Sequence, residues 1–427
     1  MPARLGVIAD DLTGANDTGV QFARQGARTI VPLDWHNLGS LARRADVLVL
    51  STDSRAVSRG VAAQRARVAA QALHKGRIPA IYKKIDSTFR GNVGAELDAI
   101  LDVYPAPLVL LAPSFPPAGR AVVNGRLTVR GIPVHRTAIG RDPTAPVRQS
   151  HLPTLLRAQS RRAVRHLPLE TLRAPFSHLR RLIRAWREDD GGLVVADAVT
   201  AGDLARLARL ILREDLQRVV VGSAGLASAL GSAMSHRSRR GRRPAAKRYP
   251  FLVVVGSPNP TTLAQVAWAE RHGLAATHAE IPEILAGRDR FRLELERTVG
   301  KVRTELTAGR DVILTLSQRS RSPSGKKRSL RPSASGTLSE FLGCATRRLA
   351  RGQKLGALIL SGGDIAIATC RALGADGILL GGEVEAGVPW GRLLGGECPN
   401  LPVVTKAGGF GSPEVFRAAI RFLRRAR

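Results

Sequence analysis

The sequence is poor in several residue types, and each scarcity excludes something. Only 3 of its 427 residues are cysteines. Cys344, Cys370 and Cys398 lie far apart and are odd in number, so neither a disulfide framework nor a paired zinc-ligand spacing is present. Aromatic residues make up 4% of the chain, too few for the stacking platforms that bind single-stranded nucleic acid. No apolar run reaches the roughly 18 residues of a membrane span. Acidic residues are also scarce, with 34 Asp+Glu against 66 Lys+Arg and a net charge of +32. That balance favours contact with polyanions, but it bears on solubility and association rather than on fold. The opening MPARLGVIADDL enters a strand-like run at once and leaves no room for a signal peptide, so the cytoplasm is the expected compartment.

What is present is an ordinary globular composition, 44% hydrophobic and 23% charged, over a length that suits two or three domains. A short apolar run, a polar or glycine-rich corner and a helix-length stretch recur along the chain. The pattern starts at Leu5, Asp46, Ile81, Leu193 and Arg218, and again at Phe251, Asp311, Ala357 and Leu401. Strands alternating with helices imply an α/β fold with mostly parallel sheets. We read residues 1–235 as one α/β domain and 250–427 as a second. Between them, 236–249 (HRSRRGRRPAAKRY) holds seven Lys/Arg and no acid and reads as a basic linker. The Ser/Arg-rich stretch 317–336 reads as a surface loop. With no helix-turn-helix, zinc-finger or RNA-recognition signature, the excess charge reads as solvated surface, which argues against nucleic acid as a partner.

In an open parallel sheet the strand-to-helix corners share one edge, where ligands bind. The first half places charge there: Asp10 and Asp11, then Asp53 and Arg55, then Lys83, Lys84, Asp86, Ser87 and Arg90, and later Asp197. Cations beside carboxylates suit a small anionic, hydroxylated ligand. The plain alternative is that these residues cap helices. The second half places glycine and small hydroxyls there: Gly256-Ser257, Ser361-Gly362-Gly363-Asp364 and Gly408-Gly409-Phe410-Gly411. Such corners bring backbone N–H groups close to phosphate oxygens, although each alone is a routine tight turn. There is no GxxxxGK[ST] loop and no well-placed GxGxxG. A charged small-ligand domain joined to a phosphate-cradling domain suggests a two-domain kinase whose cleft closes over the reactants.

At these residues the sequence resembles the four-carbon acid sugar kinases. The resemblance runs through ADDLTGANDTGVQFA (Ala9–Ala23), KKIDSTFRGNVGAEL (Lys83–Leu97), PSFPPAGRAVVNG (Pro113–Gly125) and RDPTAPVRQSHL (Arg141–Leu152). It continues through GSAGLA (Gly222–Ala227), SGGDIA (Ser361–Ala366), EVEAGVPWG (Glu383–Gly391) and TKAGGFG (Thr405–Gly411). It implies an N-terminal acid-sugar-binding domain, a C-terminal ATP-binding domain, and ATP-dependent phosphorylation of the 4-hydroxyl of a threonate, erythronate or oxo-tetronate. By motif, Asp11, Arg55, Lys84, Ile85, Asp86 and Ser87 would contact substrate, and Ser257, Gly362, Gly363, Asp364, Ile365 and Gly408 would contact ATP. Ile365 departs from the hydroxyl residue often found at that place, and Pro258-Asn259 departs from the small residue or Cys, then Ser, of relatives.

The expected mechanism has Lys84 and Arg90 holding the substrate carboxylate with help from Arg55. Asp11 orients a hydroxyl, and Asp86 is a candidate base or orienter at the acceptor oxygen. Mg²⁺ would bridge the β- and γ-phosphates, with Asp364 reaching it through water; its ligands are not assigned by the sequence. The competing readings are a sugar-acid sensor without turnover and a nucleic-acid-binding protein on a kinase-like scaffold. The stereoisomer is not legible, and a homo-oligomer is compatible with the sequence but not indicated by it.

Overall fold

The computed structural model describes residues 3–35, 38–142, 144–234, 249–317 and 332–425. The chain divides into two compact units, Met1–Arg240 and Gly241–Arg427. Nearly all of the basic linker expected at 236–249, and 318–331 of the loop expected at 317–336, lie outside the described residues. At its ends the loop expectation is corrected, since Ser317 closes the strand Val312–Ser317 and 332–336 open the helix Pro332–Gly352.

In the first unit, strands β1 (Leu5–Ala9), β2 (Thr29–Pro32), β3 (Val47–Ser51), β4 (Ala80–Lys84) and β5 (Leu108–Ala112) alternate with helices. A small antiparallel sheet follows, made of β6 (Arg120–Val123), β7 (Arg126–Val129) and β8 (Ile132–Pro133). Then come β9 (Val164–Leu167), β10 (Gly192–Ala196) and β11 (Val219–Gly222). The main strands form one parallel sheet in the order β2-β3-β1-β4-β11-β5-β10-β9. Strands such as β1 (LGVIA), β5 (LVLLA) and β11 (VVVG) read as continuous apolar runs because helices cover both faces of such a sheet, whereas β4 (AIYKK) and β9 (VRHL) carry charge. Every residue of β1 and β5 is buried. Register aligns the strand ends: Ala9 pairs with Ser51 and Lys84, and Gly222 with Lys84 and Ala112. The segments that follow, beginning at Asp10, Thr52, Ile85, Pro113 and Ser223, therefore leave the sheet at one edge.

In the second unit, β12 (Phe251–Val255), β13 (Ala275–Glu280), β14 (Val312–Ser317), β15 (Ala357–Ser361), β16 (Ala375–Glu385), β17 (Val388–Gly395) and β18 (Pro402–Lys406) form a mixed sheet. The order is β13-β14-β12-β15-β18-β17-β16, parallel up to β18 and antiparallel through β17 and β16. One core cluster joins β12 and β15 to the helix Val415–Arg424 through Phe251, Ile359, Phe416 and Ile420. Val255 pairs with Ser361, and Ser361 with Lys406, so three glycine-bearing corners leave one edge together.

The α/β class and the mostly parallel sheets agree with the sequence expectation. Two antiparallel features were not anticipated. The β6–β7 hairpin turns on Asn124-Gly125, with φ of 50° and 69°. This is the Asn-Gly turn whose twist suits flanking strands. The β16–β17 hairpin turns at Gly387, with φ of 75°.

Candidate active site

The first strand ends in two aspartates with different surroundings. Asp11 caps the helix Leu12–Arg24, with Oδ1 accepting from the Gly14 N–H at 2.7 Å. The capping alternative is thus correct for Asp11, but capping is only part of its role. Arg55 donates Nη1 to Asp11 Oδ2 at 2.6 Å, and Nε and Nη2 to the two oxygens of Asp10 at 2.7 and 2.8 Å. Burial pushes the Asp10 carboxyl up, but Arg55, Lys83 and Lys84 outweigh it and hold the pKa below its ordinary value. For Asp11, burial and the charge of Asp10 outweigh Arg55 and Lys84, and the pKa is raised.

Lys83 and Lys84 alternate across β4 and so do different things. Lys83 is fully buried and pairs with Glu96 at 2.7 Å, and Ser54 donates to the other Glu96 oxygen. This is an internal ion pair behind the site. Lys84 faces the site. A Cβ built on Gly14 would lie 2.5 Å from Lys84 Nζ and 2.7 Å from Asp11 Oδ1, so only glycine admits this approach. The Lys84 residue is 4% exposed and makes no direct hydrogen bond or ion pair among the described residues, but its charge acts on Asp10, Asp11 and Asp86.

The turn after β4 is built around Asp86. Its Oδ2 accepts from Arg90 Nε at 2.9 Å, from the Thr88 N–H at 3.2 Å and from the Thr88 hydroxyl, while Oδ1 accepts from Arg90 Nη2 at 3.1 Å. Burial opposes ionisation of Asp86, yet the Arg90 hydrogen bonds and charge, with Arg55 and Lys84, hold its pKa well below the usual carboxylate range. Arg90 also donates Nη1 to Asp142 at 3.1 Å. Phe89, buried with φ of 64°, locks the turn, and its N–H donates to Asp86 O at 2.9 Å. Ser87 is half-buried on this turn. Ile85 is buried, and its N–H is taken by Gly222 O at 2.9 Å.

Asp11, Arg55, Lys84, Asp86 and Arg90 thus share one edge, as expected, but both arginines are already committed to aspartates. Asp197 has a different job. Its oxygens accept from the Asn124, Gly125 and Leu169 N–H groups and contact His166 Nε2 at 2.9 Å, which fastens the β6–β7 turn. The first residue of β6, Arg120, lies within electrostatic reach of Asp86, Arg90 and Arg130, and burial lowers its pKa. Its Nη1 donates to Ala118 O, and its buried Nε has no partner among the described residues. Sequence reasoning passed over Arg120 and Asp142 although both stand inside quoted motifs. The Asn-Gly turn signal was the available clue to Arg120.

In the second unit the three corners gather around Ser257. A Cβ on Gly408 would sit 2.5 Å from Ser257 Oγ, and one on Gly362 would sit 3.6 Å from the Ser257 nitrogen. Asn259 caps the helix Pro260–Arg271 by accepting from the Thr261 N–H at 2.9 Å. Gly362 precedes the helix Gly363–Ala372, and Asp364 is exposed in its first turn. Ile365 is 4% exposed and fills the space beside Gly256, where a Cβ added at Gly256 would lie 2.4 Å from Ile365 Cδ1. The missing hydroxyl at 365 is therefore a packing contact between two corners. The N–H groups of Gly408, Gly409 and Gly411 have no acceptor among the described residues. Unsatisfied amides on a glycine loop, beside a helix N-terminus, fit a phosphate group. No group of acids, histidines and cysteines among the described residues could hold a metal ion on its own.

Two family models match the chain: a sugar-binding N-terminal domain over residues 5–230 and a nucleotide-binding C-terminal domain over 252–416. The chain is 36% identical to a D-threonate kinase of Salmonella typhimurium, covering 98% of this chain and 97% of the relative. It is 33% identical to a D-erythronate kinase of Heliobacterium modesticaldum, covering 98% and 96%. It is 30% identical to a 3-oxo-tetronate kinase of Methylobacterium radiotolerans, covering 98% and 99%. A solved structure from Salmonella typhimurium shares the fold, with a TM-score of 0.83 at 24% identity over 98% of both chains. With sugar-binding and nucleotide-binding models together spanning most of its length, the chain belongs to the four-carbon acid sugar kinase family.

Proposed function

We propose that the protein transfers the γ-phosphoryl group of ATP to the 4-hydroxyl of a four-carbon sugar acid of threonate, erythronate or oxo-tetronate type. Residues 1–235 hold the sugar acid and residues 250–427 hold the nucleotide. The observation that carries this reading is the meeting on one sheet edge of Lys84, which makes no direct hydrogen bond or ion pair among the described residues, with Asp10, Asp11 and Asp86, on which its charge acts. An ammonium with no direct hydrogen-bond partner, set beside carboxylates, is open to an anionic ligand. A sugar-acid carboxylate is such a ligand, and the neighbouring carboxylates accept from its hydroxyls.

On this geometry we assign the roles differently from the sequence expectation. Lys84 holds the carboxylate, with Arg120 as the second cation. Arg55 and Arg90 keep Asp10, Asp11 and Asp86 in place. Asp86 accepts four hydrogen bonds and has a strongly lowered pKa, so it orients the turn and accepts no proton. Asp11 has the raised pKa and is the residue we assign to the acceptor hydroxyl, taking its proton as the oxygen bonds to phosphorus. Ile85 and Ser87 contribute the walls of this turn.

The amides of Gly408 and Gly409, with Ser257 and the Gly362, Gly363 and Ile365 backbone, would hold the phosphates of ATP. ATP would supply the phosphoryl group, and Mg²⁺ bound with it would supply counter-charge. Asp364, exposed on this edge, is the carboxylate we assign to reach that ion through water. Phosphoryl transfer passes through a loose transition state, so positioning and charge outweigh base strength. No helix among the described residues is long and apolar enough to cross a membrane. We place the reaction in the cytoplasm, where ATP is made. The test is ADP release with Mg²⁺ against D-threonate, L-threonate, D-erythronate and their keto forms. Release with one of them supports the reading; none with any, in folded protein, refutes it.

A further inference from the structure

The motif Thr405–Gly411 contains a residue that the phosphate-cradling role of its glycines leaves unexplained. Lys406 is the last residue of β18 and is 3% exposed. Its ammonium donates to Ala407 O at 2.9 Å, to Gly408 O at 3.3 Å and to Thr262 Oγ1 at 3.2 Å. All three acceptors are neutral. Burial is the sole cause acting on its pKa, which is brought down to about 8.

Among the described residues, none around it supplies a counter-charge. Along the sheet it is flanked by Ser361 of β15, and on the other side β17 pairs Trp390 with Val404, two residues before it. The helix Pro260–Arg271 presents Thr262 and Gln265, and its acid Glu270 pairs with His278. At the start of the last helix, Glu414 pairs with Arg421. Glu385 of β16 is occupied by the N–H and hydroxyl of Ser412, both at 2.8 Å. Asp364 stands exposed on the helix Gly363–Ala372 and makes no pair with Lys406.

The same residues that surround Lys406 also fix the orientation of the glycine loop. Thr262 donates its hydroxyl to Gly408 O at 2.7 Å. Gln265 Nε2 reaches the carbonyls of Phe410, Gly411 and Ser412, each at 3.0 Å. Five loop carbonyls are therefore drawn inward by three side chains. The amides of Gly408, Gly409 and Gly411 are the groups left without acceptors among the described residues.

We propose that Lys406 is the positioning residue of the nucleotide loop: with Thr262 and Gln265 it turns the loop carbonyls inward, and its unneutralised ammonium beneath Gly408 is the charge that bound phosphate completes. The inference rests on the assignment of this loop to ATP. Its chemistry is a linkage. Phosphate near Lys406 favours the charged amine, so binding raises a pKa that burial has lowered. Between the free and bound values, nucleotide binding takes up a proton. A unit or more below pH 8 the amine is already largely charged and uptake falls towards zero. Above it, affinity falls by at most about tenfold per pH unit, since one proton is coupled. A lysine that only props up the loop produces neither effect.

The experiment is calorimetric titration of the full chain with the Mg²⁺ complex of a non-hydrolysable ATP analogue, at pH 7.0 and 8.5–9.5. Two buffers of different ionisation enthalpy are used, for wild type, Lys406→Met and Lys406→Gln. Wild type is expected to take up a substantial fraction of a proton at pH 8.5–9 and close to none at pH 7.0. Lys406→Gln keeps a hydrogen-bond donor without the charge. It is expected to bind at least tenfold more weakly at pH 7.0, to take up no proton, and to approach wild type by pH 9.5. Lys406→Met is expected to bind more weakly still. Thr262→Val leaves the amine in place and is expected to weaken binding while retaining uptake, which covers the case in which a Lys406 variant does not fold. Binding by wild type with no uptake and a flat pH profile would overturn this inference alone. Failure of folded wild type to bind the analogue at any pH would overturn both it and the assignment of the loop to ATP.

Discussion

Arg55 clasps Asp10 through two hydrogen bonds of 2.7 and 2.8 Å and still reaches Asp11 with its third nitrogen. One guanidinium thus fixes both carboxylates at the end of β1, a geometry that Lys cannot reproduce because it lacks the planar fork. Removing Arg55 strands Asp10, which is 3% exposed, as a buried charge. Arg55→Ala is expected to destabilise the protein by about 3–5 kcal/mol, read as a lower denaturant midpoint. Arg55→Lys should recover only part of that loss. Full stability in Arg55→Lys would show that the fork is dispensable.

Acid should loosen the same edge. Asp10 and Asp86 have pKa values below their ordinary value of 3.8 in the folded chain, because Arg55, Arg90 and the lysines outweigh burial. A lowered folded-state pKa contributes stability that is fully present above the unfolded value and is lost as pH falls towards the folded one. Urea midpoints are therefore expected to hold from pH 6 to 5 and to fall below about pH 4. Asp86→Asn should flatten that fall. An unchanged acid limb in Asp86→Asn would remove Asp86 from the account.

The two aspartates should separate kinetically. Asp11→Asn is expected to lower kcat by about 10²–10⁴-fold with little change in sugar-acid KM, as loss of an acceptor for the reacting proton requires. Asp86→Asn should act mainly on KM and stability, because it frees Arg90 from its pair. Steady-state kinetics over a substrate series checks both. A large kcat loss confined to Asp86→Asn would reverse the assignment.

Arg120 should matter to one reactant only. Charge-assisted hydrogen bonds contribute about 1.5–3 kcal/mol, so Arg120→Met is expected to raise sugar-acid KM by about 10–100-fold and leave ATP KM unchanged. Equal effects on both KM values would point to a misplaced β6 hairpin instead.

Gly256 and Ile365 should be coupled. A methyl at 256 collides with Ile365 Cδ1 and with Leu342. Gly256→Ala is expected to raise ATP KM, and Ile365→Val or Ile365→Ala in the same chain should relieve it in part. The double-mutant cycle reads the coupling energy directly. Strict additivity would deny the contact.

The parallel sheets were legible because their strands are buried on both faces and read as unbroken apolar runs ended by polar corners, as at Leu5–Ala9 and Phe251–Val255. The clustering of Asp11, Arg55, Lys84, Asp86 and Arg90 on one edge followed from that topology. Their pairing did not. Whether Arg90 meets a ligand or Asp86 and Asp142 depends on a turn held by Phe89 and on a loop about fifty residues away, and spacing carries neither. The opposite facing of Lys83 and Lys84 was legible in principle from the period of a strand. The Asn124-Gly125 turn was equally available and would have brought Arg120 into view. Lys406 gave no sign in sequence, because only the fold shows that no acid among the described residues covers it.

The central claim is phosphoryl transfer to the terminal hydroxyl of a four-carbon sugar acid. The most direct measurement is NMR of the product formed from ATP, Mg²⁺ and each of D-threonate, D-erythronate and a 3-oxo-tetronate. The account predicts a phosphate ester whose phosphorus couples to the C4 protons, formed by wild type and strongly reduced in Asp11→Asn. A phosphate at another carbon would contradict the proposed site of transfer. No product from any of the three with folded, nucleotide-binding protein would contradict the account as a whole.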